Sequence, residues 1–443
     1  MNRLVEPRVL KGFRDYPPAL MIPREQLMET ARRVYRSYGF APIDTPAIEL
    51  TEVLLAKVEA GAEINKQLYR FKDPGDRDVA LRFDLTVPLA RFIAANHTEL
   101  GLPFKRYHLG TVWRGESPQA GRFREFMQCD FDTIGTLSNS ADVEIAMVIN
   151  DLFVALGFER FEIRVNHRSI LSGLLTQLGL AEKTSVLLRS LDKLAKIGRD
   201  KVIDEMGREA GIAAEQAGQV IALAETVGTN AEILDQLDQR FASNAEALKG
   251  VANLREMVAV FQTAGIPEGV LKVDLSICRG LDYYTGTVYE TFLLDKPEIG
   301  SVCSGGRYDN LAGCYTKQSL PGVGASLGLD RLLAAMEALD LVPKTATPAP
   351  VLVLQLDAAR LGDYQRIARS LRAAGIGTEV YPEGKKLGQQ FQYAERRGFR
   401  MGLIAGSNEF TQGVWKVKDL LKREELTVSE AELIATVKRL LAR

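Results

Sequence analysis

Residues 104–135 read FKRYHLGTVWRGESPQAGRFREFMQCDFDTIG, and this stretch decides the fold of the N-terminal part of the chain. Two strand-like runs flank the polar loop GESPQAG, so we predict a long hairpin. Alternation in the second run defines an apolar face and a polar face. The apolar face carries Phe123, Met127, Cys129 and Phe131, and the polar face carries Arg122, Arg124, Gln128, Asp130 and Asp132. A face with so many charges either meets water or surrounds a ligand, and both interpretations stay open at this point.

A second stretch, RGLDYYTGTVYE at residues 279–290, also allows two interpretations. As structure it is a loop that leads into a strand, because Thr287, Val288 and Tyr289 are strand formers and the glycines mark bends. As a functional element it is the wall of a polar pocket, where an arginine faces an anion and tyrosine hydroxyls fix a small ligand. The stretch by itself favours the structural interpretation and does not decide the matter.

The remaining sequence suggests several domains, as 443 residues are too many for one compact core. Short amphipathic helices without proline indicate a helical insertion, and strands alternating with helices after a Pro/Thr-rich linker indicate an α/β domain. The predicted parts are a catalytic domain at 1–169 and 266–341, the insertion at 170–265, the linker at 342–350, and the C-terminal domain at 351–443.

Composition excludes several classes of protein. With 56 basic and 57 acidic residues the net charge is −1, which argues against a chain coated in positive charge. The N-terminus lacks the apolar segment of a secretory signal, and no apolar run approaches the roughly 20 residues of a membrane span. Four scattered cysteines without CxxC spacing, together with three histidines, speak against a zinc site. We therefore expect a reduced, cytoplasmic setting without membrane association.

Arginines flanked by glycines or by strand-like sequence suggest a site for a polyanion. Arg114, Arg279 and Arg331 each have such surroundings, and guanidinium forks match phosphate and carboxylate oxygens. The sequence has no GxxxxGK[ST] loop, so this site is not a P-loop. In LRFDLTVPLAR, Asp84 and Thr86 offer an acid and a hydroxyl suited to holding an ammonium group.

The order of these motifs resembles the histidyl-tRNA synthetases, which are class II aminoacyl-tRNA synthetases. LRFDLT is followed by RGESPQAGRFREFMQCDFD, RGLDYYTGTVYE and GLDRLL. The last three resemble the class's second motif, a histidine-binding signature peculiar to this family, and the third motif. RVLKGFRDYPP through YGFAPIDTPAIEL looks like the first motif, a dimer interface. The resemblance covers essentially the whole chain, and RGLDYYTG is its most specific element.

The resemblance implies an α+β protein: an antiparallel catalytic sheet with a helical insertion, followed by an α/β anticodon-binding domain. It also implies a homodimer that uses ATP with Mg²⁺, activates L-histidine to histidyl-adenylate with release of pyrophosphate, and transfers histidine to the 3′ end of tRNA(His). Among the site residues, Arg114 matches the arginine at the ATP α-phosphate, Glu116 the acid near adenine, and Arg331 the arginine on the γ-phosphate side. Arg279 matches the arginine that meets both the α-phosphate and the substrate carboxylate.

For histidine the resemblance implies a second group of residues. Asp84, Thr86 and Gln128 match residues around the substrate amino group, while Asp132 and Tyr284 match the pair that reads the imidazole ring. Hydrogen bonds to both ring nitrogens favour histidine over analogues that lack them.

The resemblance leaves further roles open. Tyr283 serves either specificity or the fold, and Gln119 and Arg122 are candidate readers of an extra 5′ guanosine on the tRNA.

Three rival functions stay open beside the ligase. The first is a regulatory subunit of histidine biosynthesis, which keeps a histidine pocket but has lost aminoacylation; against it, this chain retains Arg114, Arg279, Arg331 and an α/β tail. The second is a related synthetase for another amino acid, which RGLDYYTG and Asp132 oppose. The third is a duplicate with an altered role.

Overall fold

The computed structural model describes most of the chain as two compact units. The described residues are 4–56, 63–117, 121–277, 284–342 and 346–442. The first unit comprises Met1–Arg14 and Leu27–Leu339, and the second comprises Asp15–Gln26 and Asp340–Arg443. The domain limits given above, including those of the insertion, stay a prediction.

A large sheet forms the centre of the first unit. Its strands are β1 (Ala41–Pro42), β5 (Phe104–Trp113), β6 (Glu125–Ile134), β7 (Phe161–His167), β8 (Leu271–Val273), β9 (Thr287–Leu293), β10 (Cys303–Tyr308) and β11 (Gly322–Gly328). Within the described residues these eight strands lie in the order β1-β5-β6-β11-β10-β9-β7-β8, with β1–β5 and β7–β8 parallel and the other neighbours antiparallel. A smaller antiparallel sheet contains β2 (Ile48–Leu50), β3 (Arg70–Lys72) and β4 (Asp78–Leu81).

The predicted hairpin is confirmed. β5 and β6 pair antiparallel from Phe104 opposite Ile134 to Trp113 opposite Glu125. The apolar face of β6 packs against the first helix, where the rings of Tyr35 and Phe131 lie 4.7 Å apart and the Tyr35 hydroxyl donates to the Cys129 carbonyl at 3.0 Å. This packing fixes which face of the hairpin points away from the helix.

Helices surround the sheet, and several of them follow one another between β7 and β8. The helices up to β7 are α1 (Pro18–Ser37, which spans both units), α2 (Thr51–Leu54), α3 (Glu63–Gln67), α4 (Thr86–Leu100) and α5 (Asn139–Ala155). Between β7 and β8 lie α6 (Arg168–Gln177), α7 (Thr184–Leu191), α8 (Leu194–Ile197), α9 (Arg199–Ala210), α10 (Ala214–Ala224), α11 (Asn230–Arg240) and α12 (Ala245–Thr263). α13 (Leu329–Ala338) follows β11 directly, as the sequence GVGASLGLDRLL predicts.

The second unit has its own sheet. Its strands are β12 (Val351–Val353), β13 (Thr378–Val380), β14 (Met401–Ile404), β15 (Val414–Asp419) and β16 (Glu425–Ser429); its helices are α14 (Leu361–Ala373), α15 (Leu387–Arg397), α16 (Ser407–Gln412) and α17 (Glu430–Leu441). The strand order is β13-β12-β14-β15-β16. β12 pairs in parallel with β13 and β14, whereas β14, β15 and β16 pair antiparallel. The predicted mixed fold with an α/β C-terminal part is confirmed.

No helix within the described residues is both long enough and apolar enough to cross a membrane.

Candidate active site

One face of the large sheet combines polar side chains with glycine and serine. On β6, Gln128, Asp130 and Asp132 alternate along this face, and β11 places Gly328, Ser326 and Gly324 directly opposite them. Directly opposed residues of an antiparallel pair share a face, so small residues adjoin the polar ones. Because these neighbours lack bulk, the face leaves room for a ligand above β11.

A cavity of about 280 Å³ opens at one end of this face. Arg114, Glu116, Arg122, Gln128 and Arg331, which the sequence predicts as ATP, histidine and tRNA contacts, all line it. The other lining residues are Gly121, Phe123, Phe126, Ser301, Val302, Ser304, Ser326, Gly328 and Asp330. The structure thus brings two of the three predicted anion-binding arginines to one cavity.

The cavity arginines are held by backbone carbonyls. Arg114 donates from Nε to the Phe83 carbonyl at 2.9 Å, and its guanidinium carbon lies 5.2 Å from the centre of the Phe126 ring. Arg331 donates from Nη1 to the Ser301 carbonyl at 2.6 Å. Fixed guanidinium groups lose little conformational freedom when an anion binds, which suits them to phosphate recognition.

A carboxyl group at the wall of this cavity connects α13 to β6. Asp330 Oδ2 accepts a hydrogen bond from the Met127 backbone N–H at 2.7 Å, and its Oδ1 lies 3.5 Å from Arg14 Nη2. Arg14 in turn lies 4.2 Å from the centre of the Phe123 ring. Sequence reasoning did not assign Asp330 or Arg14, although both lie within motifs that it quoted.

Asp84 is buried immediately before α4. Its Oδ1 accepts from the Val87 N–H at 3.1 Å, whereas its buried Oδ2 has no hydrogen-bond partner in the part of the chain that the structure describes. Burial raises the pKa of Asp84 to about 6, against the lowering effects of the Val87 hydrogen bond and of Arg114. Thr86 begins α4, and its backbone N–H lowers the pKa of the Asp84 carboxyl group. An unsatisfied buried carboxylate oxygen suits a ligand that donates a hydrogen bond.

Asp132 is held by groups on three other strands. Tyr308 of β10 donates a short hydrogen bond to its Oδ1, and Arg106 Nη2 of β5 lies 2.7 Å from its Oδ2. Gly324 of β11 is directly opposite, and a Cβ atom there would come within 2.0 Å of Asp132 Oδ1. Burial raises the pKa of Asp132, while Arg106 lowers it. The orientation of the Asp132 carboxyl group is therefore fixed by Tyr308 and Arg106, and β11 packs closely against it.

The solvated interpretation of this face is wrong for Asp130 and Asp132, whereas Arg122 is exposed. Asp130 and Asp132 are only 2% and 3% exposed, and Arg106 of β5, which faces both carboxyl groups, is fully buried. Gln128 donates to the Ser326 hydroxyl at 2.9 Å, and its buried Oε1 has no partner among the described residues. Arg122 and Arg124 precede β6: Arg122 pairs loosely with Glu116 at 3.8 Å, and Arg124 donates to the Glu116 carbonyl at 3.1 Å.

Tyr284 lies against the same face. A Cβ atom at Gly306 of β10 would come within 2.9 Å of the Tyr284 ring, so a glycine is needed there. Burial raises the pKa of Tyr284 above its ordinary value, and the nearby carboxyl groups of Asp132, Asp130 and Asp84 raise it further. The structure therefore brings Tyr284 together with Asp84 and Asp132, and their roles stay predictions.

The residue after Tyr284 is clamped to β10. The Thr285 N–H donates to the Arg307 carbonyl at 2.7 Å, and its hydroxyl donates to Asp309 Oδ2 at 2.9 Å. Arg307 is itself buried and donates to both oxygens of Asp142 on α5. This network holds the end of the RGLDYYTG segment in place beside the sheet.

Three predicted site residues lie outside the described residues. These are Gln119, Arg279 and Tyr283. The structure therefore says nothing about their positions, and their roles stay predictions.

Comparisons with known proteins identify the family of the chain. Residues 12–332 match the profile of the family described as histidyl-tRNA synthetase, and residues 350–440 match that of the anticodon binding domain. A histidine–tRNA ligase from Rhodopirellula baltica is 55% identical over 426 residues, 96% of either chain. One from Treponema denticola is 46% identical over 100% of this chain and 99% of its own length.

The three-dimensional structure is also similar to a solved structure. The crystal structure of histidyl-tRNA synthetase from Nostoc sp. PCC 7120 superposes with a TM-score of 0.89 at 36% identity, and the match covers 98% of this chain and 100% of that one. The family profile covers well over half of the chain, and the relatives match it along nearly their full length. The chain therefore belongs to the histidyl-tRNA synthetase family.

Proposed function

We propose that the polar face of the large sheet catalyses the histidine–tRNA ligase reaction, with ATP in the arginine-lined cavity and histidine beside Asp132. The reaction joins L-histidine to ATP as histidyl-adenylate, releases pyrophosphate, and then transfers histidine to the 3′ end of tRNA(His). The observation that carries this assignment is the position of Gln128. Its side chain lines the cavity and hydrogen-bonds Ser326, which lies directly opposite the buried Asp130.

On the ATP side, Arg114 contacts the α-phosphate and Arg331 the γ-phosphate side, with Glu116 near adenine. Attack of the histidine carboxylate on the α-phosphorus brings two anions together and builds charge on phosphate oxygens. Arginines already fixed by the Phe83 and Ser301 carbonyls stabilise that charge without reorganising. Arg279 completes this set as a prediction from the sequence.

We propose that Mg²⁺ arrives with the phosphates of ATP, which supply most of its ligands. Within the described residues no group of three or more histidine, cysteine or acidic side chains could hold a metal ion. Glu116 is a carboxylate lining the cavity where such an ion would lie. The bound ion would neutralise phosphate charge.

On the histidine side, Asp84, Thr86 and Gln128 face the amino group, and Asp132 with Tyr284 faces the ring. Asp84 Oδ2 and Gln128 Oε1, which have no hydrogen-bond partner among the described residues, are buried acceptors that an ammonium group would satisfy. Asp132 accepts from Tyr308 and pairs with Arg106, so its orientation is set before the ring arrives.

The remaining proposals concern the partners. The second unit contains the part that matches the anticodon binding domain, and we propose that it contacts the anticodon of tRNA(His). Arg122 at the rim of the cavity, together with Gln119, is proposed to meet the 5′ end of that tRNA. The homodimer and the cytoplasmic location stay predictions.

Charging of tRNA(His) with labelled histidine tests the complete reaction. We expect label in acid-precipitable tRNA only when ATP and tRNA(His) are both present. A protein that exchanges pyrophosphate but never charges tRNA(His) would contradict the transfer step.

Thr285→Val is expected to raise the KM for histidine about tenfold and to change the KM for ATP much less. The valine keeps the volume of threonine but removes the hydroxyl that bonds Asp309, which loosens the segment carrying Tyr284. The measurement is pyrophosphate exchange with each substrate varied in turn.

The matched control is Thr263→Val. The hydroxyl of Thr263, at the end of α12, donates to the Ala259 carbonyl at an exposed site. Thr263→Val should therefore behave like the wild type. An equal rise in the KM for histidine and the KM for ATP in Thr285→Val would show that the hydrogen bond from Thr285 to Asp309 does not act through histidine recognition.

A further inference from the structure

Asp130 is a buried carboxyl group that the assignments above leave without a role. It lies on the polar face of β6, directly opposite His108 of β5 and Ser326 of β11. The residue is only 2% exposed, and its Oδ1 has no hydrogen-bond partner among the described residues. A buried carboxylate oxygen of this kind needs either a proton or a donor from a ligand.

The charges around Asp130 do not balance. Arg106 Nη2 lies 2.7 Å from Asp132 Oδ2 and 3.9 Å from Asp130 Oδ2, so one guanidinium faces two carboxyl groups. If both carboxyl groups are ionised, one negative charge remains in a site shielded from water. A cationic ligand group would compensate it.

The other titratable or charged groups facing Asp130 do not supply that charge. His108 is neutral near pH 7 because burial, together with Arg106 and Arg82, lowers its pKa to about 3. Arg82 lies 3.6 Å from Asp44 and interacts more strongly with that carboxylate than with Asp130. The remaining neighbours are acids or neutral groups, namely Asp84, Asp132 and Tyr284 on the polar side and Tyr35 and Cys303 across the sheet.

We propose that Asp130 is a further specificity-determining residue and that the pocket binds the histidine side chain as the imidazolium cation. This inference rests on the proposed function, in which Asp132 and Tyr284 face the ring. The ring then carries the positive charge that Arg106 alone does not provide for two carboxylates. Where Asp130 is ionised, above about pH 7, a neutral ring of the same shape would leave that charge uncompensated.

The proton comes from the pocket itself at low pH. Burial raises the pKa of Asp130 to about 7, so the free enzyme holds a proton there below that pH. When histidine with a neutral ring binds, the Asp130 O–H bond breaks and a ring N–H bond forms, with no net exchange with solvent. Above about pH 7 the carboxyl group is already ionised, and the ring must take a proton from solvent.

The KM for histidine in pyrophosphate exchange should therefore rise above about pH 7, approaching tenfold per pH unit. In Asp130→Asn the pocket keeps one carboxylate and one guanidinium, binds the neutral ring, and loses this rise. The amino group of histidine titrates in the same way in assays of both proteins. The ratio of the wild-type KM to the Asp130→Asn KM at each pH therefore reports on the protonation of the ring alone.

A carboxyl group elsewhere on the same sheet provides the control. Glu290 of β9 is also buried and lies on the same face, separated from β6 by β10 and β11. Glu290→Gln should keep the rise in KM seen in the wild type. Loss of the rise in this variant as well would overturn the assignment to Asp130.

A second measurement needs only the wild type, so it stands even if Asp130→Asn fails to fold. 1,2,4-Triazole-3-alanine has a ring of the same shape as imidazole that is far less basic. We expect the wild type to use it at least about tenfold less efficiently than histidine at pH 7, since a charged contact is lost. Equal use of the two amino acids, or a pH dependence unchanged in Asp130→Asn, would overturn the inference. Absence of any exchange with histidine in the wild type would instead refute the proposed function.

Discussion

Arg114→Ala is expected to slow histidine-dependent ATP–pyrophosphate exchange by about 100- to 1,000-fold, mostly in kcat. The arginine is fixed by the Phe83 carbonyl and the Phe126 ring at the cavity wall, so it meets the α-phosphate without moving. Its charge matters most when negative charge grows on the phosphate oxygens, which is why kcat falls more than the KM for ATP rises.

Arg114→Lys separates charge from geometry. Lysine keeps the charge but loses the fork and the Nε hydrogen bond to Phe83, so it should recover only part of the activity. Arg160→Gln is the control, because Arg160 is an exposed arginine paired with Asp295 at 2.5 Å. Near-normal exchange in Arg114→Ala, with Arg160→Gln also normal, would contradict the assigned role.

Gly324→Ala is expected to reduce kcat/KM for histidine by about 100-fold. The added Cβ atom would come within 2.0 Å of Asp132 Oδ1 and 2.6 Å of the Phe131 carbonyl oxygen. The carboxyl group that faces the ring must therefore move, whereas the cavity residues Arg114 and Arg331 are not touched. The KM for ATP should change much less than the KM for histidine.

Two further variants test this explanation. Gly313→Ala places a methyl group where no atom lies within 4 Å, so it should leave both activity and thermal stability unchanged. Tyr308→Phe removes only the hydrogen bond to Asp132 and should raise the KM for histidine by a smaller factor. Unchanged histidine kinetics in a folded Gly324→Ala protein would show that Asp132 does not need its present position.

The sequence predicted the elements whose signals are local. The hairpin follows from alternation on both sides of GESPQAG, and α13 follows from the glycine-spaced strand before GLDRLL; the structure has both. β16 escaped prediction because REELTVSE is short and strongly charged for a strand. The solvated interpretation failed because sequence alternation defines a face but not what covers it.

Three site residues were not predicted from the sequence, and the physical reason is the same for all of them. Arg106, Tyr308 and Ser326 reach the polar face from strands other than β6, and only the register of the folded sheet brings them together. Arg106 had a usable signal, since pairing the two arms of the hairpin places it opposite Asp132. Tyr308 and Ser326 had no such signal, because β10 and β11 join β6 across about 170 to 200 residues of chain.

We propose that this sheet face condenses histidine with ATP. ATP–pyrophosphate exchange with each amino acid in turn, without tRNA, is the most direct test of this reaction. We expect exchange that depends on histidine alone. Exchange driven by another amino acid, or histidine binding without any exchange, would contradict it.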